Sequence, residues 1–202
     1  MNIFKVYIKA FDLNPGRYQI LQTGVKYLYS YLSQVLRYAN QQLNHKLYDD
    51  ALITYGSHIN HADLSSDEHL LLHITPESYA RKFLGSQAQG AAGITTLLGK
   101  DMVFSEIMWS FIEAADNKGL ALANYAFHEL VHNKAFSAYP EAGKNGSFVH
   151  NESGSGVLVK ILEPGQAGSI IANSENIKAM AMVYFLRIKQ YRRYLIVEPK
   201  TK

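Results

Sequence analysis

Leu120-Ala121-Leu122-Ala123-Asn124-Tyr125-Ala126-Phe127-His128-Glu129-Leu130-Val131-His132-Asn133-Lys134 is the stretch on which the reading of this chain turns. Ala121, Leu122, Ala123 and Ala126 are good helix formers, and with Tyr125 and Phe127 they make a mostly apolar run, as a helix packed into a core requires. Asp116-Asn117 offers an N-cap, so a helix is expected from about 118 to 134. On that helix, His128 and His132 stand four residues apart. Four residues advance a side chain by about 400° and raise it by about 6 Å, so both imidazoles leave one face, one turn apart. That is the separation two ligands of a tetrahedral zinc ion need. Glu129 follows the first histidine and would reach a bound water rather than the ion. Zinc lowers the pKa of such a water, and Glu129 can take its proton as a general base. In a chain of 202 residues with eight histidines, chance supplies such a match only about 2% of the time.

Outward from this helix, strands and helices alternate. Residues 2 to 11 read as a strand closed by Asn14-Pro15-Gly16, and a helix follows over about 20 to 43. Its apolar positions Val25, Leu28, Tyr29, Leu32, Val35, Leu36 and Ala39 keep helical spacing. Short strands are expected at 51–55 and 70–75, a helix after Pro76, and a loop over the glycine-rich 87–93. Residues 102–109 read as another strand, rich in Val, Phe, Ile and Trp. Residues 137–155 make a long irregular segment of the kind that often carries function. An apolar run covers 156–162, and a last helix spans about 174 to 193, with Ile177, Met180, Ala181, Tyr184, Phe185, Ile188 and Tyr191 on one stripe. This mixed order predicts an α+β domain, one over residues 1–202, with a mixed sheet packed on the His128–His132 helix.

A strand followed by a His-Glu-x-x-His helix resembles the zincin-type zinc metallopeptidases. That resemblance implies hydrolysis of peptide bonds in a protein or peptide substrate by a metalloendopeptidase that uses Zn2+. It also implies that the strand before the helix forms one rim of the cleft and that substrate lies along it as an added strand. The matching segment is 102–109, with Phe104-Ser105-Glu106-Ile107 as the expected contact. Metzincins place a glycine and a further ligand where this chain has Ala135 and Ala138, so that branch is excluded. Asn151-Glu152 has the spacing of a gluzincin ligand, but two glycines in the next four residues oppose a helix there. His150, at the end of Gly146-Ser147-Phe148-Val149, is similar to the downstream histidine of SprT-like and WLM-type proteases, and His128-Glu129-Leu130-x-His132-Asn133 echoes the latter. The expected ligand set is therefore His128, His132 and His150, with Glu152 and Glu141 as alternatives for the third place. If His150 binds the metal, Glu152 can orient an imidazole. Tyr139 is a candidate donor to the oxyanion, and Asn133 and Lys134 read as the helix's C-terminal signal.

Composition narrows the remaining choices. The chain has no cysteine, which excludes disulfides, thiolate nucleophiles and cysteine zinc sites, including that of peptide deformylase. Net charge is only +3, and Arg187, Lys189, Arg192 and Arg193 fall at a helix end where cations suit the dipole, so no nucleic-acid partner is expected. No apolar run approaches the roughly 18 residues of a membrane span. Lys5 and Lys9 interrupt the N-terminal apolar stretch, so no signal peptide is expected, and the chain would be cytoplasmic or exported by a signal-independent route. Histidines 58, 61, 69 and 73 with Asp63 could form a second metal site, although partly exposed loop and strand histidines are the plainer reading. The alternative to an enzyme is a catalytically silent zinc-site binding protein, such as a phage or bacterial effector component.

Overall fold

Alternation along the first strand divides the molecule into two faces. In β1 (Ile3–Ala10), Phe4, Val6, Ile8 and Ala10 enter the main core, while Tyr7 and Lys9 point to the opposite side. The computed structural model describes residues 3–43, 48–60, 64, 69–88, 90–98, 102–138, 193–194 and 196–198. A long helix, α1 (Pro15–Leu43), crosses one face of the sheet and delivers the chain to β2 (Asp50–Gly56), parallel to β1. Residues Ile59 and Leu64 on the way to β3 (His69–Thr75) pack on Tyr7 and Leu71, covering the other face.

After β3 come one helical turn, α2 (Arg81–Leu84), a 3-10 turn at Gly85–Ala88, and the strands β4 (Gly93–Leu98) and β5 (Met102–Met108). Then follow the short α3 (Trp109–Glu113), the long α4 (Lys118–Ala138) and a two-residue strand, β6 (Arg193–Tyr194). The strand order is β2-β1-β3-β5-β4, with β6 pairing β5 beside Met102 and Val103. Among the described residues all pairings are parallel except that of β4 with β5, which is antiparallel, and β4 ends the sheet. The architecture is mixed α and β around a mixed sheet, compatible with the expected α+β class. Among the described residues no helix is long and apolar enough to cross a membrane.

Helices α1 and α4 share one face of the sheet and bury their stripes together. Leu21, Leu28, Leu32, Val35 and Leu36 of α1 meet Leu122, Ala123, Ala126, Phe127, Leu130 and Val131 of α4 over Leu70, Leu72, Ile74 and Ile107. Two glycines set how closely the helices approach. A Cβ on Gly24 would lie 2.6 Å from Leu122 Cδ2, and one on Gly119 would lie 2.7 Å from Thr23 Cγ2. Deeper in the contact, buried Tyr31 donates its hydroxyl proton to Asn124 Oδ1 at 2.9 Å and meets Phe127 edge-on. Burial of that phenol raises its pKa to about 12, so it remains a donor. Asn117 begins α4 as expected, with its Oδ1 accepting from the Leu120 amide at 3.1 Å.

Several expectations need correction. The run 102–109 is not a cleft rim. β5 lies inside the sheet because β4 covers its outer flank, and Trp109 has already turned into α3, where its indole donates to Phe11 O at 2.8 Å. Glu106, expected to meet substrate, is wholly buried on the face away from α4. There its carboxylate accepts from Ser78 Oγ, Thr75 Oγ1 and the amides of Tyr79 and Ala80, fixing the turn into α2. The helix after Pro76 is only that single turn, and the loop over 87–93 gives way to β4 at Gly93. The run 156–162 and the expected helix over 174–193 lie outside the described residues, apart from Arg193, which is in β6.

His73 is likewise no half-exposed strand residue. It is fully buried between the rings of Phe11 and Phe104, 6.3 and 5.1 Å away. Its Nδ1 lies 3.2 Å from Ser105 O and its Nε2 accepts from the Val197 amide at 3.3 Å, so the proton sits on Nδ1. Burial pushes its pKa down to about 4, reinforced by Lys9 and opposed by the Ser105 carbonyl and Glu198. Next to it, Lys9, 1% exposed, pairs with Glu198 at 2.7 Å. These contacts hold residues 196–198 against the back of the sheet, where Ile196 and Val197 also pack.

Candidate metal centre

Helical geometry sorts the motif into two neighbouring stripes. His128 and His132 form one i, i+4 pair and Glu129 and Asn133 another, about 100° further round the helix. The second stripe faces the sheet edge. Glu129 and Asn133 are buried at 4% and 1% exposure; Glu129 bonds a side chain of β4 and Asn133 one of β5. The first stripe is less enclosed, with His128 half-buried and His132 buried.

The two imidazoles converge. Their Nε2 atoms are 3.0 Å apart and their rings meet edge-on, with centroids at 4.7 Å. Two nitrogens on one tetrahedral zinc, at bonds of about 2.0–2.1 Å, are separated by about 3.3 Å. The observed spacing is close to that value, so the pair fits two positions of a zinc site with little rotation of either ring. Among the described residues no third His, Cys, Asp or Glu completes the set. His150, Glu152 and Glu141, the expected sources of the third ligand, lie outside the described residues, as does Tyr139. So do His61 and Asp63 of the imagined second site; His73 is committed to backbone partners.

Glu129 lies flat against the edge strand. Its Oε2 accepts from Thr95 Oγ1 at 2.6 Å. Its other oxygen runs beside Gly93, where a Cβ would come within 2.6 Å of Oε1. Only glycine leaves room for the carboxyl there. Behind Thr95 a polar chain continues into the sheet: Thr95 Oγ1 is 2.9 Å from Ser105 Oγ, and Asn133 Nδ2 donates to Ser105 Oγ at 2.8 Å. Asn133 Nδ2 also lies 3.4 Å from Leu71 O. Asn133 is therefore a tie between α4 and the sheet rather than an end signal, and α4 runs on to Ala138.

Burial pushes the Glu129 carboxyl up to about 8, with the Thr95 hydrogen bond opposing and the Glu106 charge adding to the rise. A dication at the imidazole pair would act in the opposite direction and favour the carboxylate.

Sequence reading missed Thr95 and Gly93 as parts of this site and took Ser105 as part of the expected substrate contact instead. A signal was present in Gly93-Ile94-Thr95-Thr96-Leu97-Leu98, a β-branched run after a glycine-rich stretch, which is a strand pattern. Compared with family models, curated proteins and solved structures, the chain matches none.

Proposed function

We propose that this chain is a zinc-dependent metallopeptidase with a zincin-like arrangement of sheet and active-site helix. The observation that carries the reading is the convergent Nε2 pair of His128 and His132 beside a buried Glu129 that lies along an antiparallel edge strand. His128 and His132 hold the metal, with His150 as third ligand and Glu152 as the alternative. When bound, zinc lowers the pKa of a water and polarises the carbonyl it attacks. Glu129 takes the water's proton as the attack proceeds and returns it to the departing amine nitrogen, serving first as base and then as acid.

Substrate is held by β4 rather than by β5. Among the described residues β4 pairs only with β5, so its outer backbone groups can accept an extended peptide as a further strand. Main-chain pairing of that kind suits a protein or peptide substrate and places its carbonyls along the strand that also carries Gly93 and Thr95.

Incubation of the zinc-loaded protein with a proteome-derived peptide library, read by mass spectrometry, tests the assignment. Cleavage should disappear with a chelator and return with zinc. Peptides bound in a zinc-dependent way with none cut would instead identify a binding protein built on a metal site.

A further inference from the structure

We infer that Thr95 is the positioning residue for Glu129, an assignment that rests on the peptidase reading above. The hydroxyl has one proton to give, and three groups surround it: Glu129 Oε2 at 2.6 Å, Ser105 Oγ at 2.9 Å and Glu129 O at 3.1 Å. The direction of each bond follows from what the partners can do. Leu71 O only accepts, which places the amide nitrogen of Asn133 toward it and toward Ser105. Ser105 Oγ thus accepts from Asn133 and turns its own proton to Thr95. Thr95 gives its proton to Oε2, the shorter contact. The relay runs one way, from Asn133 through Ser105 and Thr95 to Glu129.

Two consequences follow for the carboxyl. Oε2 is held as an acceptor whether the group is ionised or carries a proton on its other oxygen, so the same bond persists when Glu129 acts as base and when it acts as acid. Oε1, running beside Gly93 while Oε2 is taken by Thr95, is then the oxygen that moves the proton. A general base gains from being fixed in this way, because proton transfer needs donor and acceptor within hydrogen-bond reach in one orientation. Thr95 reaches the chemistry through Glu129.

Thr95→Val keeps the shape and removes the donor, whereas Thr95→Ser keeps the donor. With zinc content per chain unchanged in both, kcat should fall about 10- to 100-fold in Thr95→Val. KM should stay within about two-fold, and Thr95→Ser should return kcat to within a few-fold of the parent. Full kcat in Thr95→Val, or an equal loss in Thr95→Ser, overturns the assignment. A second readout needs no activity: the urea midpoint of the zinc-free protein for Thr95→Val, Glu129→Ala and the double variant. The shift caused by Thr95→Val should be clearly smaller once Glu129 is Ala, the remainder coming from the acceptor lost to Ser105 Oγ. The same shift in both backgrounds means Thr95 does not hold Glu129. If the zinc-loaded parent cuts no peptide, the peptidase reading fails by itself, and the midpoint cycle still decides whether Thr95 grips the carboxyl.

Discussion

Glu129→Gln is expected to lower kcat by about 10²- to 10⁴-fold, the range supplied by a positioned acid–base group, while leaving zinc content at the parent level. The substitution preserves length and leaves an oxygen able to accept from Thr95 Oγ1, which now meets Glu129 Oε2 at 2.6 Å. It removes the capacity to take and return a proton. Folding should be little disturbed, because burial already favours the uncharged carboxyl, whose pKa stands near 8 in the metal-free protein. A neutral amide in the same space does not incur the cost of burying a charge. The discriminating feature is therefore a collapse of turnover with zinc and unfolding midpoint preserved. Residual activity equal to the parent would remove Glu129 from the chemistry.

Acidification should weaken the fold through His73. Its pKa is lowered from 6.5 to about 4 by burial, so the folded state keeps it neutral where the unfolded chain is protonated. For a base depressed in this way, stability is complete above pH 6.5 and is lost as pH falls toward 4. A difference of about 2.5 pKa units corresponds to about 3 kcal/mol. Glu129 contributes with the opposite sign: its carboxyl is raised from 4.5 to about 8, so its share is complete below 4.5 and lost as pH rises through 8. Comparing the parent with His73→Gln cancels the Glu129 part. Urea denaturation of the zinc-free proteins at pH 7 and pH 4.5 should show the parent losing about 2–3 kcal/mol more than His73→Gln. Equal losses would mean that His73 is not the buried neutral base described here.

Strong local patterns carried most of the fold. The stripe of α1, the alternation of β1 and the helical run before His128 are each set by neighbours within one or two turns, and each element stands within a few residues of its expected limits. Helix α4 extends to Ala138 instead of stopping near 134, and α1 begins at Pro15. The edge strand was not legible to the same degree. Gly93-Ile94-Thr95-Thr96-Leu97-Leu98 is β-branched in part but does not alternate strictly between apolar and polar, so it stands out weakly against its glycine-rich approach. Missing β4 made β5 look like the rim, and that error moved the expected substrate contact onto Glu106, which lies buried on the far face.

The site divides along the same line. The pairing of His128 with His132 is a property of four consecutive residue steps on a helix, and their Nε2 atoms stand 3.0 Å apart. Thr95 and Glu129 are 34 positions apart, and Asn133 and Ser105 are 28 apart. Such contacts are set by strand order and register, which no local pattern encodes. His73 was misplaced for a related reason: a histidine in an apolar strand looks solvent-facing until the residues that cover it, here Phe11, Phe104 and Val197, are brought over from distant segments.

Zinc content per chain is the direct measurement of the central claim, taken by elemental analysis on protein purified without added metal or chelator, with His128→Ala and His132→Ala in parallel. About one zinc per parent chain is expected, from the two-histidine pair and a third ligand, with that zinc lost in both variants. A parent ratio near zero that added zinc cannot raise would make the convergent pair an ordinary histidine contact on a packed helix, and the metallopeptidase would fall with it.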